Sequence, residues 1–192
     1  WLQLKVIADA GIIGLPNAGK SSLLSKCTRA KPKIANYPFT TLTPQLGVVD
    51  IGSNSEGCSF TVADLPGIIE KASEGRGLGH KFLKHLERTA AIAYIIDASD
   101  YENCSKTFEL IKNEIDKFNP TIRKNKKAVI VLNKIDQFND PKIVDKIKNS
   151  FEKYNHKIFF ISAISKQGTN ELLFCLKDIV QEIKKGKNES VI

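Results

Sequence analysis

The stretch Gly14-Leu15-Pro16-Asn17-Ala18-Gly19-Lys20-Ser21 decides how this 192-residue chain is read. It fits the pattern G-x-x-x-x-G-K-[ST], in which two glycines let the backbone fold back so that successive N–H groups converge on phosphate oxygens. Lys20 then reaches the β- and γ-phosphates, and the Ser21 hydroxyl can ligate Mg2+. Taken alone, the same residues describe a Gly-rich turn at a helix start. Context favours the phosphate cradle: Gly11-Ile12-Ile13 precedes it as a buried strand would, and Ser22-Leu23-Leu24-Ser25-Lys26 follows it as an amphipathic helix would.

Working outward from this loop, apolar runs alternate with helical patterns. Strands are predicted over Asp9–Leu15, Gly47–Ile51, Ser59–Ala63, Ile92–Asp97, Ala128–Leu132 and Lys157–Ile161, and helices over Lys20–Arg29, Gly79–Arg88, Tyr101–Phe118, Pro141–Tyr154 and Asn170–Lys185. Only Gly47–Ile51 and Ser59–Ala63 lack an intervening helix, so they are expected to form an antiparallel hairpin around Gly52–Gly57. The fold class that follows is α/β: a P-loop NTPase with a six-stranded, mainly parallel sheet, one antiparallel edge strand and helices on both faces. In such sheets ligands bind at the carboxyl ends of strands, and the chemically suggestive residues fall there repeatedly.

Composition narrows the possibilities. The length suits one domain with a sizeable core. No run approaches 18 apolar residues, so no membrane-spanning helix is expected. Cys27, Cys58, Cys104 and Cys175 form no C-x-x-C pair, which points to reduced thiols in a cytoplasmic or organelle-matrix compartment, mitochondrion or plastid. The chain starts at Trp1 without a leader pattern and reads as a fragment whose targeting segment, if any, precedes it. Net charge is +8, spread unevenly: residues 1–120 hold 14 basic and 13 acidic side chains, residues 121–192 hold 15 and 8. Solvated helix faces account for much of that excess, with a surface for RNA or a ribosome as the sharper reading.

Four further segments carry chemistry. Asp64-Leu65-Pro66-Gly67 directly follows a strand; its carboxylate can hold Mg2+, usually through water, and the Gly67 N–H can meet a γ-phosphate. Asn133-Lys134-Ile135-Asp136 follows another strand and selects the base. Guanine presents two donors, N1–H and its 2-amino group, that match the two oxygens of Asp136, whereas adenine would leave them unpaired. The Lys134 stem can pack over the base and Asn133 can tie this loop to the phosphate loop. Ser162-Ala163-Ile164 follows the strand Lys157–Ile161, where the Ala163 N–H could donate to guanine O6. Finally, Phe39, Thr40 and Thr41 lie in the polar stretch Tyr37–Leu42. A threonine here can complete the Mg2+ shell only with the triphosphate bound, and the residues alone leave Thr40 and Thr41 in competition.

These stretches together resemble the GTPase domain of the Obg family, relatives of translation factors. The resemblance is carried by Ala8–Gly14, the P-loop at 14–21, Ala30–Ala35, Tyr37–Leu42 with Gly47, Ala63–Gly67, Arg76–His80 and His85–Thr89, and it covers nearly the whole chain. Developmentally regulated GTP-binding proteins share similar motifs. The resemblance implies a domain over 1–187 followed by a tail at 188–192, with switch I about 31–45 and switch II about 64–82, and a glycine-rich Obg domain preceding Trp1; Lys184–Ile192 reads as a frayed, basic end. It also implies that Thr41 is the Mg2+ ligand together with Ser21 and Asp64, that the G domain is monomeric, and that the partner is the large ribosomal subunit or its rRNA. Asn17 gives G-x-x-N-x-G-K-S, which resembles GTPases stimulated by K+; the plainer reading is a turn-favouring asparagine. Ras-like GTPases place glutamine where this chain has Ile68, and isoleucine cannot orient water. The expected activity is therefore slow, Mg2+-dependent hydrolysis of GTP, with Lys20, Thr41, Gly67 and Asn17 as the catalytic set. Two other readings are a sensor of guanine nucleotides, including alarmones, and a P-loop kinase or ATPase, which Asp136 disfavours.

Overall fold

The structure is a computed structural model describing residues 8–28, 32–34, 44–52, 58–65, 86–124 and 126–189. The strands are β1 (Ala10–Gly14), β2 (Lys33–Ile34), β3 (Gln45–Ile51), β4 (Cys58–Asp64), β5 (Ala91–Asp97), β6 (Lys127–Asn133) and β7 (Lys157–Ile161). The helices are α1 (Lys20–Cys27), α2 (Cys104–Phe118), α3 (Pro120–Lys124), α4 (Lys142–Phe151) and α5 (Thr169–Glu189). The sheet order is β2-β3-β4-β1-β5-β6-β7, with β4, β1, β5, β6 and β7 parallel and β3 antiparallel to both neighbours. All six expected strands are present. The two-residue β2 adds a short rung outside β3, so the antiparallel strand is not quite the rim of the sheet.

Each central strand is buried on both faces, and its side chains divide with a period of two. On β5, Ile92, Tyr94 and Ile96 face one cluster with Ile130, Leu132, Phe108, Ile111, Ile147 and Phe151, beneath α2 and α4. Ala91, Ala93 and Ile95 face the other with Ile12, Leu23, Leu24, Val131, Leu172 and Leu176, beneath α1 and α5. Two apolar layers of this kind clamp the strands, and all their carboxyl ends emerge along one rim.

Helix ends depart from expectation for local reasons. Helix α1 stops at Cys27, where the Thr28 hydroxyl and N–H both bond the Leu24 carbonyl. Helix α2 starts three residues later than periodicity suggests, because Asp100–Asn103 is closed as a turn by Asn103 donating to the Asp100 carboxylate. Helix α3 was not expected, although Asn119-Pro120 is a start signal: Asn119 Oδ1 accepts the Thr121 N–H at 3.0 Å. Helix α5 runs to Glu189, past the expected helix end at Lys185 and the expected boundary at 187, so Lys184–Glu189 continue the helix instead of fraying. Of the predicted helix Gly79–Arg88, only its last residues, 86–88, lie within the described region.

Candidate guanine-nucleotide site

The phosphate loop leaves β1 at Gly14, and its first glycine is dictated by packing. A Cβ there would lie 2.2 Å from the backbone oxygen of Ile95 on β5. Asn17 turns the chain with φ of 63° and Gly19 with φ of 92°. A Cβ on Gly19 would sit 2.2 Å from Asn133 Nδ2. Gly19 caps α1 without any side-chain bond, so the first N–H groups of the helix have no side-chain acceptor at the cap. That is the arrangement by which helix starts hold anions. Lys20 is buried, and its Nζ donates to the carbonyls of Gly14 at 3.1 Å and Leu15 at 2.8 Å. Pro16, Asn17, Ser21 and Ser22 are exposed along the rim.

Across the loop, Ser21 Oγ donates to Asp64 Oδ2 at 2.6 Å. Asp64 ends β4 next to β1 and is buried, and its Oδ1 has no hydrogen-bond partner. Burial drives the Asp64 carboxyl above its usual range, only partly countered by the Ser21 bond and the nearby Lys20 charge. A hard-oxygen pair with one orphaned carboxylate atom fits a Mg2+ ion, which takes oxygen ligands and retains waters.

On the far side of the rim, Asn133 ends β6 and is buried. Its Nδ2 donates to the Ala18 carbonyl at 2.8 Å, and its Oδ1 accepts the Ala163 N–H at 2.9 Å. The expected tie to the phosphate loop is therefore in place. The Ala163 N–H, expected as a donor to guanine O6, here donates to Asn133 Oδ1, because β6 and β7 are adjacent and end at the same level, Asn133 opposite Ile161. Ser162 is buried, its Oγ accepting the Ser165 N–H at 3.1 Å, and Ile164 is exposed. Lys134 adopts a left-handed conformation, φ 72°, and Asp136 lies exposed in the 3-10 turn Ile135–Gln137 that follows.

The rim thus gathers Gly14–Ser22, Asp64, Asn133, Lys134, Asp136 and Ser162–Ile164 from four strand ends. Phe39, Thr40, Thr41, Gly67 and Ile68 lie outside the described residues. One contact was missed in the sequence: Lys134 Nζ pairs with Asp97 Oδ2 at 2.5 Å. The sequence offers only the aspartate that closes the run Ile92–Asp97; that β5 lies beside β6 is not legible there.

Residues 9–134 match the family described as 50S ribosome-binding GTPase. The chain belongs to that family. This GTPase-family domain is 46% identical over 184 residues to GTPase Obg of Persephonella marina, covering 95% of the chain and 53% of the relative. Against GTPase Obg of a Sulfurihydrogenibium species it is 43% identical over 194 residues, covering 100% and 55%. The domain therefore spans about half the length of the curated relatives it matches. Among solved structures, an Era variant of Aquifex aeolicus bound to GDP.AlF4- superposes with a TM-score of 0.67 at 28% identity, covering 90% of this chain and 56% of that one.

Proposed function

We propose that this domain binds GTP and hydrolyses it slowly to GDP and phosphate as a Mg2+-dependent switch, in a protein acting in assembly of the large ribosomal subunit. The observation that carries this reading is the Ser21–Asp64 pair beside Lys20, with Asp64 Oδ1 buried and unpartnered. Ser21 and Asp64 would hold the ion, with Thr41 as the resemblance implies, and bound Mg2+ supplies neutralisation of phosphate charge. The rest falls to the chain. The N–H groups of the loop and the Lys20 ammonium bind the phosphates and offset charge that develops during transfer. Asp136 selects guanine, and Asn133 joins the base loop to the phosphate loop. Ile68 supplies no group to orient water, so hydrolysis depends on help from K+ at Asn17 or from a partner. Support for a large-subunit partner comes from the family description, 50S ribosome-binding GTPase, and support for contact with ribosomal RNA more generally from Era, one structure of which holds MgGDPNP and a segment of 16S ribosomal RNA.

Titration with GTP and ATP, with Mg2+ and with chelator, tests the site. GTP binding at least tenfold tighter than ATP and weakened by chelation is expected, following the arithmetic of unpaired polar groups. Equal affinity for the two nucleotides would overturn the assignment of Asp136. GTP-dependent co-sedimentation of the intact protein with large ribosomal subunits tests the partner; equal recovery with GTP, GDP and no nucleotide would count against a switch.

A further inference from the structure

Asp97, the ion-pair partner of Lys134, lies outside the motifs that bind phosphate and select the base. Asp97 closes β5 opposite Asn133, and the next residue, Ala98, donates its N–H to the Asn133 carbonyl at 2.8 Å. The chain then bends at Lys134, in a left-handed conformation that is strained for a non-glycine residue. This bend separates Asn133, aimed into the phosphate loop, from Asp136 in the exposed turn. Lys134 Nζ meets Asp97 Oδ2, while Asp97 Oδ1 accepts the Ser99 N–H at 3.0 Å and the Ser99 hydroxyl at 2.6 Å. Both carboxylate oxygens are engaged, so the Asp97 rotamer is fixed and the lysine is drawn to one place.

We propose that Asp97 is a positioning residue for guanine binding: it anchors the Lys134 stem where that stem covers the base, and so holds the bend that sets Asn133 and Asp136 on either side. The inference rests on the guanine-nucleotide reading above. A solvated ion pair contributes little, about what an idle surface contact would show. This pair differs in being only 24% and 34% accessible and in spanning a backbone bend under strain. Burial raises the Asp97 carboxyl, but the hydrogen bonds from Lys134 and Ser99 outweigh it and hold the group below its usual range, so the carboxylate stays ionised at neutral pH.

A double-mutant cycle read by titration of fluorescent GDP tests this, using Asp97→Asn, Lys134→Met and the double variant, with thermal unfolding of the nucleotide-free proteins alongside. Asp97→Asn is expected to weaken GDP about tenfold, within the coupling range of contacting residues, and to raise KM for GTP while kcat stays within about twofold. The double variant should bind no more weakly than Lys134→Met alone. Should Asp97→Asn fail to fold, Lys134→Arg against Lys134→Met is the second measurement: arginine keeps a charge facing Asp97 and should retain most affinity. Unchanged GDP binding in Asp97→Asn, or losses that multiply in the double variant, would overturn the inference alone. Failure of the parent protein to bind GDP would overturn the nucleotide reading and this inference with it.

Discussion

Ser21 at the start of α1 and Asp64 at the end of β4 are joined by a 2.6 Å hydrogen bond that leaves one Asp64 oxygen buried without a partner. A group in that state is poorly stabilised as an anion. Burial raises the Asp64 carboxyl above its ordinary 3.8, so the folded chain holds this proton more tightly than the unfolded chain does. Between 3.8 and the raised folded value, its contribution to stability therefore grows as pH falls, and above both it is a net cost. Relative to Asp64→Asn, the nucleotide-free parent should gain stability as pH is lowered from neutrality. Urea midpoints of the two proteins measured across that range check this; a gap that does not change with pH would refute it.

Asn133→Ala removes the partner of two buried backbone groups, the Ala18 carbonyl and the Ala163 N–H. Each unsatisfied group costs about 1–3 kcal/mol, so a destabilisation of roughly 2–4 kcal/mol is expected in equilibrium unfolding. Nucleotide affinity should fall with it, since the loop that holds phosphate loses its brace. A loss below about 1 kcal/mol would mean that water replaces the carboxamide.

Asn17 offers a way to separate backbone from side chain. Its φ of 63° suits glycine better than asparagine. Asn17→Gly should therefore keep the loop and its thermal stability, while any stimulation of GTP hydrolysis by K+ over Na+ disappears. Stimulation that survives in the glycine variant would remove the Asn17 side chain from the catalytic set.

Asp9 provides the opposite pH behaviour from Asp64. Burial pushes its carboxyl up, but hydrogen bonds from Lys184, at 2.8 Å, and from the Thr61 N–H and hydroxyl bring it below its ordinary value. Its contribution is present above 3.8 and is lost as pH falls through the depressed folded value. Asp9→Ala should destabilise by about 2 kcal/mol at pH 7, by loss of charge-assisted hydrogen bonds, and by less in strong acid. Paired unfolding curves at the two pH values check the sign.

The elements were legible where a local pattern was also the global one. Apolar runs such as Ala128–Leu132 are buried on both faces, so period and packing agree, and the residues that end each strand were placed on the rim by topology alone. Asn133 was read correctly as a tie to the phosphate loop because its carboxamide has few other uses beside a glycine-rich turn. The bond from Ala163 to Asn133 was not legible, since it depends on β7 ending level with β6, a matter of register that no motif encodes. The Asp97–Lys134 pair was missed for the same reason: two residues 37 apart meet only because β5 and β6 are neighbours. Short helix α3 was overlooked because five residues hold too little periodicity to stand out.

The bond from Asn133 to Ala18 closes 115 residues of chain. Contacts of that separation form late in folding, after the entropy of closing the intervening loop has been overcome by sheet pairing. The loop at Gly14–Ser21 is made early in the sequence, yet it is braced only once β6 has been synthesised and has joined the sheet beside β5. A nascent or truncated chain ending before Asn133 can contain every residue of the phosphate loop and still lack the brace that sets its shape. Ligand-binding competence in this domain is thus a report on completed folding.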